Sequence, residues 1–293
     1  MNLIFDIRHH IASLVAIFLA LGIGIVIGTS MIGSEAITKQ QEKIINSIER
    51  EFTVLREENK KNAEALIQAQ EVMANQKKFN EAVLPVLVRG KLQDRRIAIV
   101  DLNYRKEHDS LVSVLRSAGA DVRSITVVNL MLLRDQQLNR QVAAFLGRSE
   151  EVAPDRYLPD FARLLAAAVL SGGNEDFVRF LDESEIIKVS GVYGPPLQEV
   201  ILIGGSNDKE QDYAKVFDLN MIEVWKDAGI NVYGVEDSNA LISYMRYYQS
   251  ARISTVDNID TVFGQVALVQ AMSGYPGQYG IKETADAFLP PLE

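Results

Sequence analysis

From Ile11 to Gly33 the chain reads IASLVAIFLALGIGIVIGTSMIG, 23 residues without a charge. A helix of about 20 apolar residues crosses the hydrocarbon core of a bilayer, so this run is expected to be a transmembrane anchor, residues 1–33. Hydroxyl groups enter only near its ends, at Ser13, Thr29 and Ser30. Ala12, Ala16, Ala20, Gly24 and Gly28 recur at every fourth place. On a helix they form one shallow ridge, the small-xxx-small pattern that lets two backbones approach closely in lipid. Ser34-Glu35-Ala36 resembles a cleavage site, but a signal-peptide core spans about 7–15 residues and this run is longer, so an uncleaved anchor is expected. Arg8, His9 and His10 precede the run, and Lys39 and Lys43 follow it. A short head before a large tail favours a single-pass cell-membrane protein with a cytoplasmic N-terminus and its bulk extracytoplasmic.

Residues 34–84 contain no proline or glycine and are dominated by Glu, Lys, Gln, Asn and Ala. That composition favours a helix of about 50 residues, roughly 75 Å long. With Ile45 at heptad position a, the a set is Ile45, Phe52, Asn59, Leu66, Met73 and Asn80. The d set is then Ile48, Leu55, Asn62, Ala69, Gln76 and Val83. Eight of these twelve are apolar, the pattern of a coiled-coil stalk. Asn59 and Asn62 in the seam would cost stability but fix register, so a parallel homodimer through stalk and anchor is expected. Pro85 is expected to break the helix.

Residues 85–293 suffice for one sizeable core. Arg89, Lys91, Arg95 and Arg96 form a basic patch leading into the first strand. Short β-branched runs at 97–101, 122–128, 199–203, 231–235 and 253–256 predict five strands. Between them, helical patterns fall at 109–118, 143–145, 161–169, 174–181, 213–228, 241–247 and 259–272. Alternation of this kind predicts an α/β fold, a Rossmann-like, doubly wound, mostly parallel sheet. A mostly helical insertion is expected around 130–190, and the Gly/Pro-rich end (SGYPGQYG, then FLPPLE) reads as a packed tail without a further element.

The charge of −9 lies outside the anchor, because Asp6 and Arg8 cancel in the first 33 residues. An acidic soluble part argues against nucleic acid as a partner. There is no cysteine, which excludes disulfides, thiolate metal sites and cysteine nucleophiles. The three histidines are His9, His10 and His108, and the methionines are scattered, so neither cofactor nor metal ligands are assigned.

Doubly wound sheets bind ligands at the carboxyl ends of their strands, so Asp101 and Asn103 (with Arg105 beyond) and the Gly204-Gly205 loop are the crevice candidates. Glu236 and Asp237 also follow a strand. No glycine-rich nucleotide motif and no G-x-S-x-G elbow occurs, and no catalytic constellation is assigned: the chain is expected not to be an enzyme.

The opening FDIRHHIASLVAIFLALGIGIVIGTSMIG, the long polar helix, RRIAIVDLN and the tail GQYG resemble the MctB family of mycobacterial-type copper transport proteins, which includes SteB-like cell-envelope proteins. The resemblance covers essentially the whole chain. It implies a bitopic, dimeric envelope protein with a role in copper homeostasis, copper as a partner, and contact with another envelope protein. The resemblance also carries a SteB-like role as a partner in the regulation of cell-wall hydrolysis; direct transport, with the membrane helices oligomerised into a pore, is the alternative from a different class.

Overall fold

The computed structural model describes residues 7–104, 108–148, 153–208 and 212–291. Asp6 and Arg105 lie outside them. The chain divides into two compact units, Met1–Gln76 and Lys77–Glu293. Helix α1 runs Ile7–Val88, and within it Ile7–Met31, with a mean hydropathy of 2.7, is long and apolar enough to cross a membrane.

In the second unit, α1 does not stop before Pro85 as expected. Proline lacks the N–H that would bond the carbonyl one turn back, which normally ends a helix. Here Leu84 and Leu87 pack against the core, Val88 is fully buried, and Arg89 N donates to Pro85 O. That burial holds the last turn in place.

The strands are β1 (Arg96–Asp101), β2 (Asp121–Val128), β3 (Ile187–Gly191), β4 (Glu199–Gly204), β5 (Asn231–Glu236), β6 (Ser254–Val256) and β7 (Gln278–Tyr279). They form one sheet in the order β3-β2-β1-β4-β5-β6-β7, parallel throughout except for β2–β3. The helices are α2 (Asp109–Ser117), α3 (Gln136–Phe145), α4 (Leu158–Ser171), α5 (Glu175–Glu183), α6 (Leu219–Asp227), α7 (Met245–Ser250) and α8 (Val262–Met272). The fold is thus mixed α/β with a seven-stranded, mostly parallel sheet.

Strand side chains alternate between faces, and both faces are covered. Ile97, Ile99, Ile201, Ile203 and Val235 pack with α2 and α8. Ala98, Val100, Val200, Leu202 and Val232 pack with α3 to α7, whose largest buried contribution is Trp225. Buried parallel strands need apolar residues on both sides, and this is why β1, β4 and β5 read as continuous apolar runs.

Two expectations, a tail without a further element and a helix over 241–247, need correction. The 130–190 region carries α3, α4 and α5, and its end, Ile187–Gly191, adds an antiparallel edge strand, β3, that was not among the five expected strands. Only one of its five residues is buried, so the strand carries little apolar signal. The tail supplies β7, Thr255 N donating to Gly277 O and Asp257 N to Tyr279 O. The helix expected over 241–247 begins only at Met245, because Ser206 and Ile242 bridge as antiparallel partners and hold the preceding residues extended.

Candidate functional site

A cavity of about 670 Å³ opens at the carboxyl ends of β1, β2 and β4. This is where the strand order reverses direction, between β1 and β4, and where open α/β sheets place their ligands. Asn103 and Gly205 line it; Asp101 and Gly204 do not.

The alternation of β1 explains the first pair. Val100 faces α3–α7, so Asp101 faces the opposite side, where it is fully buried. Its Oδ2 lies 2.8 Å from His108 Nε2, at the start of α2, and its Oδ1 accepts from Asn103 N at 2.8 Å. Asp101 therefore shapes the turn that presents Asn103 to the cavity.

Gly204 is the last residue of β4, and its missing side chain makes room for an aromatic ring. A Cβ there would lie 1.8 Å from Tyr248 Oη, and one at Gly234 would lie 2.3 Å from Tyr248 Cδ2. The Tyr248 ring thus lies flat across two bare strand positions, and its hydroxyl donates to Asp218 Oδ2 at 2.5 Å. Gly205, with φ +81°, takes the left-handed turn out of the strand that few other residues adopt.

Asp218 also lines the cavity. It closes a turn of π-helix, Ala214–Asp218, ahead of α6. Such turns insert one extra residue into the helical ladder and recur at functional sites. Its Oδ1 is buried without a hydrogen-bond partner. Burial pushes the carboxyl up to about 7, against the opposing pull of the Tyr248 hydrogen bond. Glu199, paired with Arg95 at 2.8 Å, is raised for the same reason of burial.

An acid raised by folding binds more protons in the native state than in the unfolded one between the two pKa values, so stability falls as pH rises through that window. For Asp218 the window runs from the ordinary 3.8 to about 7 and is worth on the order of 4 kcal/mol. We expect urea unfolding midpoints to fall between pH 5 and pH 8. In Asp218→Asn that fall should shrink to the remainder that Glu199 supplies; an unchanged fall would contradict the assignment.

Glu236 and Asp257 form the other buried carboxylate group. Glu236 accepts from Ser243 Oγ (2.6 Å), Tyr244 N (2.8 Å) and Lys282 Nζ (2.6 Å). Asp257 accepts from Ile281 N and Lys282 N at 2.7 and 2.8 Å. A Cβ on Gly280 (φ +140°) would lie 1.9 Å from Asp257 Oδ1, which gives the second glycine of the GQYG tail its physical reason. Both carboxylates are committed to holding the chain's end and the start of α7.

The helix candidates Ala12, Ala16, Ala20, Gly24, Gly28, Ile45, Ile48, Phe52, Leu55, Asn59, Asn62 and Leu66 all lie on α1. Every one is exposed in the single chain except Gly28, which is half-buried. Of the basic patch, Arg95 is tied to Glu199.

Sequence reasoning missed Asp218, Tyr213, Tyr244 and Tyr248. One signal was present: Ala214, Phe217, Asp218, Met221, Ile222 and Trp225 repeat at helical spacing, and all are buried. An acid on that stripe is out of place unless it has a task.

Among the described residues, no three His, Cys, Asp or Glu side chains are grouped to hold a metal ion. Among the described residues, one N-terminal helix is long and apolar enough to cross a membrane, and a long helix joins the same chain to a two-faced α/β sheet. A family model described as "Copper transport outer membrane protein, MctB" matches residues 4–290, and the chain belongs to that family. Among curated proteins, no match was found.

Proposed function

We propose that the chain is a non-enzymatic, single-pass envelope protein that forms a parallel dimer through α1 and serves copper handling by contact with another envelope protein. The N-terminus is cytoplasmic and the α/β domain extracytoplasmic. The order of the five central parallel strands with helices on both faces supports reading that domain as Rossmann-like.

One observation carries the dimer. Ile45, Ile48, Phe52, Leu55 and Leu66 recur at heptad spacing, and each is more than half exposed in the single chain. A second copy in register would cover this row, at about 1.5–3 kcal/mol for each large apolar side chain removed from water. The ridge from Ala12 to Gly28 continues the same association into the lipid. The non-enzymatic reading is supported by the committed carboxylates at the strand ends: Asp101 seats a turn, and Glu236 and Asp257 hold the tail. Copper enters through the family; no copper-binding step is assigned to this chain's own side chains, and its part is to orient a pair of domains at the membrane.

The double variant Phe52→Asp/Leu55→Asp places four charges in the seam of a dimer. We expect the protein in lipid nanodiscs to fall from dimer to monomer mass, with self-association weakened at least 100-fold. Unchanged mass would overturn the stalk as the dimer contact.

A further inference from the structure

The cavity at the β1/β4 crevice has a chemistry of its own, independent of the dimer. At about 670 Å³ it falls within the roughly 300–1,000 Å³ of small-molecule sites. Among the described residues its lining contains no lysine, arginine or histidine. Two backbone donors at the start of the π-helical turn are already used. Tyr213 N donates to Tyr244 Oη at 3.0 Å, and Ala214 N donates to the Asp212 carboxylate at 3.3 Å. Asp212 thus caps the start of this helical stretch with its own carboxylate.

The remaining lining is of two kinds. Leu102, Val128, Leu130, Leu241 and the tyrosines Tyr213 and Tyr244 give apolar and aromatic walls. Asn103, Asn129 and Asn207 bring three carboxamides, each able to donate and accept. Among the described residues the side chains of Asn103 and Asn207 have no protein partner, and Asn129 uses only its oxygen, toward Met131 N at 3.2 Å. Behind them is Asp218 with its unpartnered buried Oδ1. A buried polar atom left unsatisfied costs about 1–3 kcal/mol, which a ligand hydroxyl could recover. Carboxamides match hydroxyl groups that both donate and accept, whereas a cation would need free carboxylates and an open aromatic face. Asp208 is instead paired with Arg134 at 3.1 Å, and Tyr244 is only 2% exposed.

The geometry points to a binding site for a neutral, hydroxyl-rich ring ligand, a mono- or disaccharide, held by apolar and aromatic walls and hydrogen-bonded by Asn103, Asn129, Asn207 and Asp218. The test uses the full chain in lipid nanodiscs, free of glycoside detergents. Saturation-transfer NMR is recorded with cellobiose, maltose and N,N′-diacetylchitobiose, and separately with choline and AMP. Saturation of at least one disaccharide is expected, with its affinity reduced about tenfold by Asn103→Ala or Asn207→Ala, the loss of roughly one hydrogen bond. Leu241→Trp, at an exposed wall position, should abolish the signal while leaving the thermal midpoint unchanged. The proposal is overturned if no disaccharide is saturated, if only choline or AMP is, or if the disaccharide signal survives Leu241→Trp.

Discussion

Gly234→Val is expected to lower the thermal midpoint of the α/β domain by 10 °C or more, or to prevent its folding. The valine Cβ would arrive 2.3 Å from Tyr248 Cδ2 and 3.1 Å from Ile253 Cδ1. Neither neighbour can yield. Tyr248 is fully buried, its hydroxyl is bonded to Asp218, and Gly204 lies under the other end of the ring. On the other side, the backbone of Gly234 is held in register between β4 and β6. Overpacking of this severity costs about 4–5 kcal/mol, the far end of single-residue effects. A domain of this size loses about 2–4 °C per kcal/mol, so calorimetry reads the change easily. A midpoint within about 2 °C of wild type would mean that the ring does not lie where described.

Glu236→Ala is expected to be the next most damaging change. The carboxylate is fully buried, and three donors depend on it: the Ser243 hydroxyl, the Tyr244 amide and the Lys282 ammonium. Removing it strands a largely buried cation, a loss of about 3–5 kcal/mol. It also frees the start of α7 and the chain after β7. Glu236→Gln, which keeps the shape and one acceptor, should cost clearly less. Limited proteolysis reports where the loss falls: in Glu236→Ala, cleavage after Lys282 should appear well below the unfolding midpoint. Equal resistance in wild type and Glu236→Ala would show that the carboxylate does not hold the tail.

How much of this was legible beforehand follows from where each residue's constraint comes from. The apolar N-terminal helix was legible from its uncharged run, and β1, β4 and β5 because burial on both sides forces continuous apolar runs such as IAIVD and EVILI. The edge elements were not. β3 buries one residue, and β7 is two residues long, held by backbone bonds to β6 that no side-chain pattern encodes. Pro85 misled because local propensity was overridden by the burial of Val88 and its neighbours.

The site was legible only in outline. Strand ends were the right place to look, and Asn103 and Gly205 do line the crevice. Asp101 faces away because strand parity, fixed by Val100, turns it toward His108. Gly204 suggested backbone exposed to a ligand, yet its emptiness is filled by Tyr248, 44 residues further on in the chain. No local spacing connects the two. The pairing of Asp218 with Tyr248 likewise exists only after α6 and α7 have packed on the sheet.

The central claim is that two copies of this chain stand in parallel, joined along α1. Because the natural sequence has no cysteine, Asn59→Cys introduces a single thiol at the centre of the seam. In a parallel, in-register pair the two thiols face each other, whereas Asn46→Cys, one place after Ile45, should point outward. Under mild oxidation in native membranes, most of the Asn59→Cys protein is predicted to run as a disulfide-linked dimer, with little dimer from Asn46→Cys. Asn59→Cys protein that stays monomeric while its thiol reacts freely with maleimide would contradict the account.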